Sequence, residues 1–318
     1  MVLKIGSLKL KNQLVLAPMV DVTDLPYRLL CRKCGAGLAY TEMVYIDAAL
    51  HENAKTLKMM KTCEEDSPLG LQITGDRLEE FEEFVSREDL WKDYDLIDLN
   101  CGCPSLRVAR KSGAGSFLMN DSEKIASFVR VLKKTGKPVT VKVRLGFGKI
   151  NVLEVARAIE DVGADAITVH ARLATEGGRD RAQWEWISKV KETVKIPVIG
   201  NGDIVDGASA NEVLERCDGA MIARAAIGDP LIFSRVQNYL DGKVEGEIDL
   251  TKNLELFKEY LKLQREHYGD GVDFGKIKYV GGRFLKKMKG AARLREEFHA
   301  LKRLKDIEVF VERLNNFI

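Results

Sequence analysis

Along residues 14–223 eight short apolar runs recur, each followed by a stretch in which apolar residues return every three or four positions. The runs are Leu14–Met19, Leu38–Val44, Leu69–Thr74, Leu96–Asn100, Val139–Leu145, Ala166–Ala171, Pro197–Gly200 and Ala220–Ala223. Most are continuous rather than alternating, as expected of parallel strands covered by helices outside and packed against side chains inside. Eight such units predict an α/β fold, a closed (β/α)8 TIM barrel rather than an open doubly wound sheet. The segments between them read as helices. From Asp121 onward Ile125, Phe128, Val129 and Leu132 share one stripe until Gly136 and Pro138 end it, and Val152 to Val162 repeats the pattern up to Gly163.

After Pro230 the alternation stops. Residues 231–242 read as a last barrel helix, 243–250 as a polar linker and 251–318 as helices only, with Leu254, Phe257, Leu261 and Leu263 opening an amphipathic face. The expected division is a barrel domain over residues 1–242 and a small all-helical C-terminal domain over 251–318.

Of the 318 residues, 45% are hydrophobic and 31% charged, a globular composition with material for one large core and a smaller domain. No run approaches the roughly 18 uncharged apolar residues of a membrane helix. The opening MVLKIGSLKLKNQLVLAPM alternates like a strand rather than carrying an apolar signal core. A cytoplasmic protein without a membrane partner is expected, as a monomer. Six cysteines in a chain this long do not form a disulfide framework, so they are expected as reduced thiols.

The net charge of +2 hides an asymmetry. Residues 251–318 hold 16 Lys and Arg against 10 Asp and Glu, whereas residues 1–250 hold 34 against 38. From Lys276 to Lys305 there are 11 basic residues and two acids, interleaved with Tyr279, Phe284 and Phe298, the composition of a polyanion footprint. A solvated helical face would look the same in composition alone.

In such a barrel the working residues close the strands at their C-terminal ends. Those ends carry Ala17-Pro18-Met19, Gln72, Asn100-Cys101-Gly102-Cys103-Pro104, Lys142 with Arg144, His170-Ala171-Arg172, Asn201-Gly202-Asp203 and Ala223-Arg224. The seventh and eighth ends predict a phosphate cradle, with Gly202 allowing close backbone approach and Arg224 adding charge; the bland alternative is an ordinary turn. Strand register sets Thr140, Lys142 and Arg144 opposite Val139, Val141 and Val143. A lysine against the helix layer would be costly, so Lys142 is expected in the barrel mouth. His170, one of four histidines, is expected on a ligand rather than in the core. Cys103 follows polar strand-end residues and precedes Pro104, which keeps the loop out of helix. Metal ligation by Cys101 and Cys103 with Cys31 and Cys34 is the competing reading. Cys31 and Cys34 fall in the helix-like stretch Pro26–Cys34, so no metal is expected.

The blocks LAPMVDVTD, TEM, LQITGD, DLNCGCP, VTVKVRLG, VHAR, NGDI and IARAAIGDP, in this order between residues 4 and 235, resemble the tRNA-dihydrouridine synthases. The NxGCP element is specific in that company, and a basic helical tail is also a feature of that family. The resemblance implies FMN over the barrel mouth, NAD(P)H (as NADPH) as reductant, and tRNA as partner of the tail. The flavin would contact Ala17, Pro18, Met19, Gln72, Lys142, His170, Asn201, Gly202, Asp203, Ala223 and Arg224, with Lys142 near its electron-rich edge. Asn100 and Arg144 would face the uridine, and Cys103 would be the catalytic thiol. Hydride would reach C6 of an unstacked uracil while a neutral thiol, a competent acid near pH 7, protonates C5. Two departures stand out: Ala223 occupies a position usually held by glycine, and the segment ATEGGRDRAQW after His170 differs from the family pattern. The alternatives are a dihydroorotate- or dihydropyrimidine-type oxidoreductase acting on a free pyrimidine, which needs no basic tail, and a non-catalytic RNA-binding protein, against which Cys103, Lys142 and His170 argue.

Overall fold

The computed structural model describes residues 2–105, 108 and 113–314. An antiparallel hairpin of β1 (Lys4–Ile5) and β2 (Leu8–Lys9) precedes a ring of parallel strands. These are β3 (Leu14–Leu16), β4 (Ala39–Tyr40) with its continuation β5 (Val44–Tyr45), β6 (Leu69–Thr74), β7 (Leu96–Cys101), β8 (Val139–Arg144), β9 (Ala166–His170), β10 (Val198–Asn201) and β11 (Gly219–Ile222). Neighbours in sequence are neighbours in space, β11 pairs back onto β3, and a bridge from Val15 to Leu38 closes the barrel. All eight expected strands are present. The first is shorter than its apolar run because Pro18 and Met19 leave the ladder to form the rim, while the Ala17 N–H still donates to the Ile222 carbonyl. The second is interrupted at Thr41–Met43, where Glu42 leaves the strand to pair with a tail residue.

Strand parity sorts the side chains into two cores. One set packs outward against the helices, including Ile97, Leu99, Val141, Val143, Ile167 and Val169. The other set turns inward, and its lower layer is apolar: Val15, Leu38, Tyr40, Leu96, Ala166, Ile199 and Met221 pack with Leu3, Ile5 and Leu10 of the hairpin, which plugs the barrel floor. Further up the same inward rows the residues become polar: Gln72, Asp98, Asn100, Thr140, Lys142, Thr168, His170 and Asn201. The barrel is therefore dry at its base and polar at its C-terminal mouth. Outside, the helices Leu78–Ser86 and Ser122–Leu132 meet through Phe81 and Phe128, stacked at 4.1 Å. The second of these carries the expected stripe, and Asp121 caps its N-terminus.

Beyond the last barrel helix, Ile232–Leu240, the chain is helical as expected: Leu250–Tyr268, Phe274–Phe284, Ala291–Ala300 and Leu304–Arg313. Asp249 and Asp273 cap the first two. Phe257, Phe284, Phe298 and Phe310 form the tail's aromatic centre. The apolar cluster runs on without a break into the barrel's helical layer. Polar joints fix the docking: Gln264 donates to Asp24 at 2.6 Å, Asn253 donates to the Gly228 carbonyl at 2.9 Å, and Lys276 forms a buried ion pair with Glu42. Lys276, which opens the basic run in the sequence, is thus neutralised inside the joint. Among the described residues no helix is long and apolar enough to cross a membrane.

Candidate active site at the barrel mouth

The polar inward rows converge on a cavity of about 290 Å³ at the strand C-termini. Its wall includes Ala17, Pro18, Met19, Lys142, Arg144, His170, Asn201, Gly202, Asp203, Ala223 and Arg224, all singled out in the sequence, together with Arg172, Gly177 and Gly178. Gln72, Asn100 and Cys103 lie outside this wall and form a second group around the loop after β7. A larger cavity, about 820 Å³, opens at the opposite end of the barrel among Gln13, Lys191 and Asp218. Its Lys191 is already satisfied by Asp218 at 2.8 Å, and none of the strand-end residues singled out in the sequence lines it.

Lys142 is the unusual cation. It extends inward from β8, and its one hydrogen bond among the described residues is a long contact of 3.5 Å to Asn201 Oδ1. Burial and the neighbouring Arg144 bring its ammonium down to about 8, with Asp98 acting in the opposite direction. Beside it on β9, Thr168 keeps a buried hydroxyl without a partner among the described residues. His170 is driven down to about 2, first by burial and then by Lys142, Arg144, Arg172 and Arg224, so its imidazole is neutral at physiological pH. Arg172 Nη1 approaches His170 Nε2 at 3.2 Å. Because arginine only donates, Nε2 is the acceptor and the proton is assigned to Nδ1.

The loop after β10 is shaped by close approach. Gly202 has φ +115°, and a Cβ there would lie 3.0 Å from Ala182 and 3.1 Å from His170. Asp203 follows at φ +54°, a left-handed conformation that aspartate tolerates when its carboxylate is held. Arg172 Nη2 grips both oxygens at 2.6 Å and the Ala182 N–H donates at 2.9 Å. Burial opposes ionisation, but these donors hold the carboxyl below its usual range. Arg224, exposed at the start of the turn after β11, approaches Asp203 at 3.4 Å. A Cβ on Gly178 would sit 2.5 Å from the Arg224 guanidinium, so the divergent segment after His170 packs over this corner through glycine.

The cysteine loop is fastened on three sides. Asn100 Oδ1 accepts from the N–H groups of Gly102 and Cys103 at 3.1 and 2.9 Å, Arg144 Nε donates to the Gly102 carbonyl at 3.0 Å, and Ser116 N–H donates to the Cys103 carbonyl at 3.0 Å. Cys103 is half-buried and lies near Lys142 and Arg144. Asn100 Nδ2 is also engaged, with Gln72. Cys31, Cys34 and Cys101 are buried, and the described residues contain no cluster suited to a metal ion.

Two groups have roles that the sequence alone did not assign. Asp98, 1% exposed, is pushed up to about 6 by burial, against its hydrogen bonds from Gln72 and Thr140 and the nearby Lys142. Its signal was present: a carboxylate inside an apolar strand, two positions before Asn100 and therefore on the same face. Arg172 was noted at a strand end, but its role depends on the distant Asp203.

A second feature lies on the tail. A cleft of about 360 Å³ is lined by Tyr279, Gly282, Arg283, Lys286, Arg295 and His299. Among the described residues Arg283, Lys286 and Arg295 have no carboxylate partner, while Arg265, Lys276, Arg303 and Arg313 all do.

Comparison with solved structures finds the same fold in histamine dehydrogenase from Rhizobium sp. 4-9 (TM-score 0.56, 15% identity, 82% of this chain and 50% of that one). It also finds it in a 2-naphthoyl-CoA reductase (TM-score 0.55, 15% identity, 76% and 52%). At sequence level the chain is 35% identical to tRNA-dihydrouridine synthase B of Pseudomonas aeruginosa, covering 99% of this chain and 98% of that protein. It is 32% identical to the protein of that name from Yersinia pestis, covering 98% and 100%. The family profile described as dihydrouridine synthase matches residues 15–317, so this chain belongs to the dihydrouridine synthase family, FMN-dependent oxidoreductases that modify tRNA.

Proposed function

We propose that this protein reduces the C5=C6 bond of uridines in tRNA using electrons from NAD(P)H, with Cys103 as the proton donor to C5. The observation that carries the reading is a half-buried cysteine, its loop held by hydrogen bonds, near a cavity whose lysine has no carboxylate partner among the described residues. FMN fits that wall. An uncompensated ammonium and a neutral imidazole suit an electron-rich ring, and glycines at 178 and 202 with Arg224 suit a phosphate. Bound there, FMN supplies hydride chemistry. Lys142, His170 and Asn201 would hold its ring, while Gly202, Asp203, Ala223 and Arg224 would hold its phosphate end and Ala17, Pro18 and Met19 would close one side.

Arg144 and Asn100 keep the thiol at a fixed place beside the mouth, so that a uracil entering against the cavity meets an acid on one face. In this reading residues 1–242 do the chemistry and residues 251–318 bind the RNA. The unpaired cations around Tyr279 suit phosphates and a stacked base, and a free pyrimidine would have no use for them. The first test is the visible spectrum of the purified protein and the chromophore released on denaturation. A flavin spectrum with FMN released supports the assignment, and a colourless protein that takes up no FMN ends it. Dihydrouridine measured in tRNA after incubation with enzyme and NADPH then tests the substrate.

A further inference from the structure

Two side-chain amides, Gln72 on β6 and Asn100 on β7, link Asp98 to the cysteine loop, and both ends of this line have fixed polarity. At one end Asp98 on β7 offers only acceptors when ionised: Oδ1 accepts from Thr140 Oγ1 at 2.6 Å and Oδ2 from Gln72 Nε2 at 2.7 Å. At the other end the backbone N–H groups of Gly102 and Cys103 offer only donors, and both meet Asn100 Oδ1. Between the ends Asn100 Nδ2 donates to Gln72 Oε1 at 2.8 Å. A terminal amide is nearly symmetric in shape, so shape alone does not choose its orientation. Here neither amide can turn over without setting donor against donor or acceptor against acceptor, and the side chains of Gln72, Asp98, Asn100 and Thr140 are buried.

We propose that Asp98 is a positioning residue for the cysteine loop: its carboxylate fixes Gln72, Gln72 fixes Asn100, and Asn100 sets the backbone that aims the Cys103 thiol. Asp98 lines neither cavity; apart from its charge, which Lys142 feels, it reaches the cysteine loop through this relay. The inference rests on Cys103 being the proton donor and adds a residue that supports it from inside the barrel. Arg144 and Ser116 hold the same loop from other directions, so the relay governs aim more than folding of the loop.

The test compares Asp98→Leu with Asp98→Asn. Both remove the charge that Lys142 feels. Only the asparagine keeps an acceptor for Gln72, because its own N–H groups can face the Thr140 hydroxyl. Their difference therefore reports hydrogen-bond order alone. Alkylation of Cys103 by iodoacetamide is followed peptide by peptide in the flavin-loaded protein, with Cys63, the other cysteine that is not fully buried, as internal reference. In Asp98→Leu the Cys103 rate should change several-fold relative to Cys63. Dihydrouridine formation should fall about tenfold or more, the scale of leaving a buried donor unpaired, with flavin reduction by NADPH retained. Asp98→Asn should restore both readouts to within about threefold of wild type. Unchanged labelling and turnover in Asp98→Leu, or equal damage in the two variants, overturns the proposal. Should Asp98→Leu not fold, Gln72→Met removes the middle of the relay, and unchanged Cys103 labelling there also overturns it. If Cys103→Ala left turnover intact, the proton-donor reading would fall, yet labelling of Cys103 in the Asp98 pair would still decide the relay.

Discussion

The barrel mouth and the helical tail both collect cations, and they hold them in opposite ways. At the mouth Lys142 and Arg144 are enclosed and met by amide or carbonyl oxygens, and Arg172 is spent on Asp203. On the tail Arg283, Lys286 and Arg295 surround an open cleft with no carboxylate among the described residues, beside others such as Arg265 and Lys276 that are paired. An enclosed cation acts at short range and low dielectric on one small ligand, and salt screens it little. Exposed cations act additively on a long polyanion and are screened strongly. Under the proposed function, one region would do chemistry on a ring and the other would hold a large charged substrate in place.

The sharpest way to separate the two regions is Cys103→Ala. It should lower dihydrouridine formation about 100- to 10,000-fold, the range for losing a general acid. FMN content and tRNA affinity should stay unchanged, as checked by absorbance and filter binding; equal loss of flavin would show the cysteine to be structural. The joint between the regions is next. Lys276→Met leaves Glu42 charged and unpaired in a buried site and should cost about 3–5 kcal/mol of stability, read in chemical denaturation. A variant as stable as wild type would mean that the tail is not locked by this pair.

Reversing charge on the tail, with Lys286→Glu and Arg295→Glu together or across Lys286, Lys287 and Lys289, should weaken tRNA binding and flatten its log–log salt dependence by about one unit per lost contact. Flavin binding should not respond, and an unchanged tRNA affinity would remove the tail from the interface. The smallest effect concerns His170. Its folded value of about 2 lies below the ordinary 6.5, so its ring resonances should stay constant from pH 8 down to pH 4, whereas the exposed His51, raised by its Asp47 neighbour, should titrate. The sign for stability follows: below about pH 6.5 the unfolded chain binds a proton that the folded chain refuses, so this group favours unfolding as pH falls. A titration of His170 near pH 6 would mean that the mouth is wetter than the cavity geometry implies.

Local pattern made much of this legible. Continuous apolar runs reveal strands buried on both faces, and the parity of β8 was enough to turn Lys142 inward, because a lysine among the covering helices would go unsolvated. The polar residues ending β9, β10 and β11 do line one cavity, since a closed barrel brings every strand end to one rim. Contacts between distant segments were not legible. Arg172 looked like another rim cation until Asp203, 31 residues later, folded against it. Lys276 looked like part of an RNA footprint until Glu42, 234 residues earlier, neutralised it.

By itself the sequence determined the barrel, the helical tail and which polar groups stand at the strand ends, because these depend on periodicity and on chemistry carried within a few residues. Tertiary structure decided which of those groups are already satisfied. Gln72 and Asn100 are engaged with each other and with the Cys103 loop, Asp98 anchors them from the barrel interior, and of the tail's many cations only some remain open. The physical reason is that hydrogen-bond and charge partners are set by proximity in space, which the closing of the barrel and the docking of the tail create.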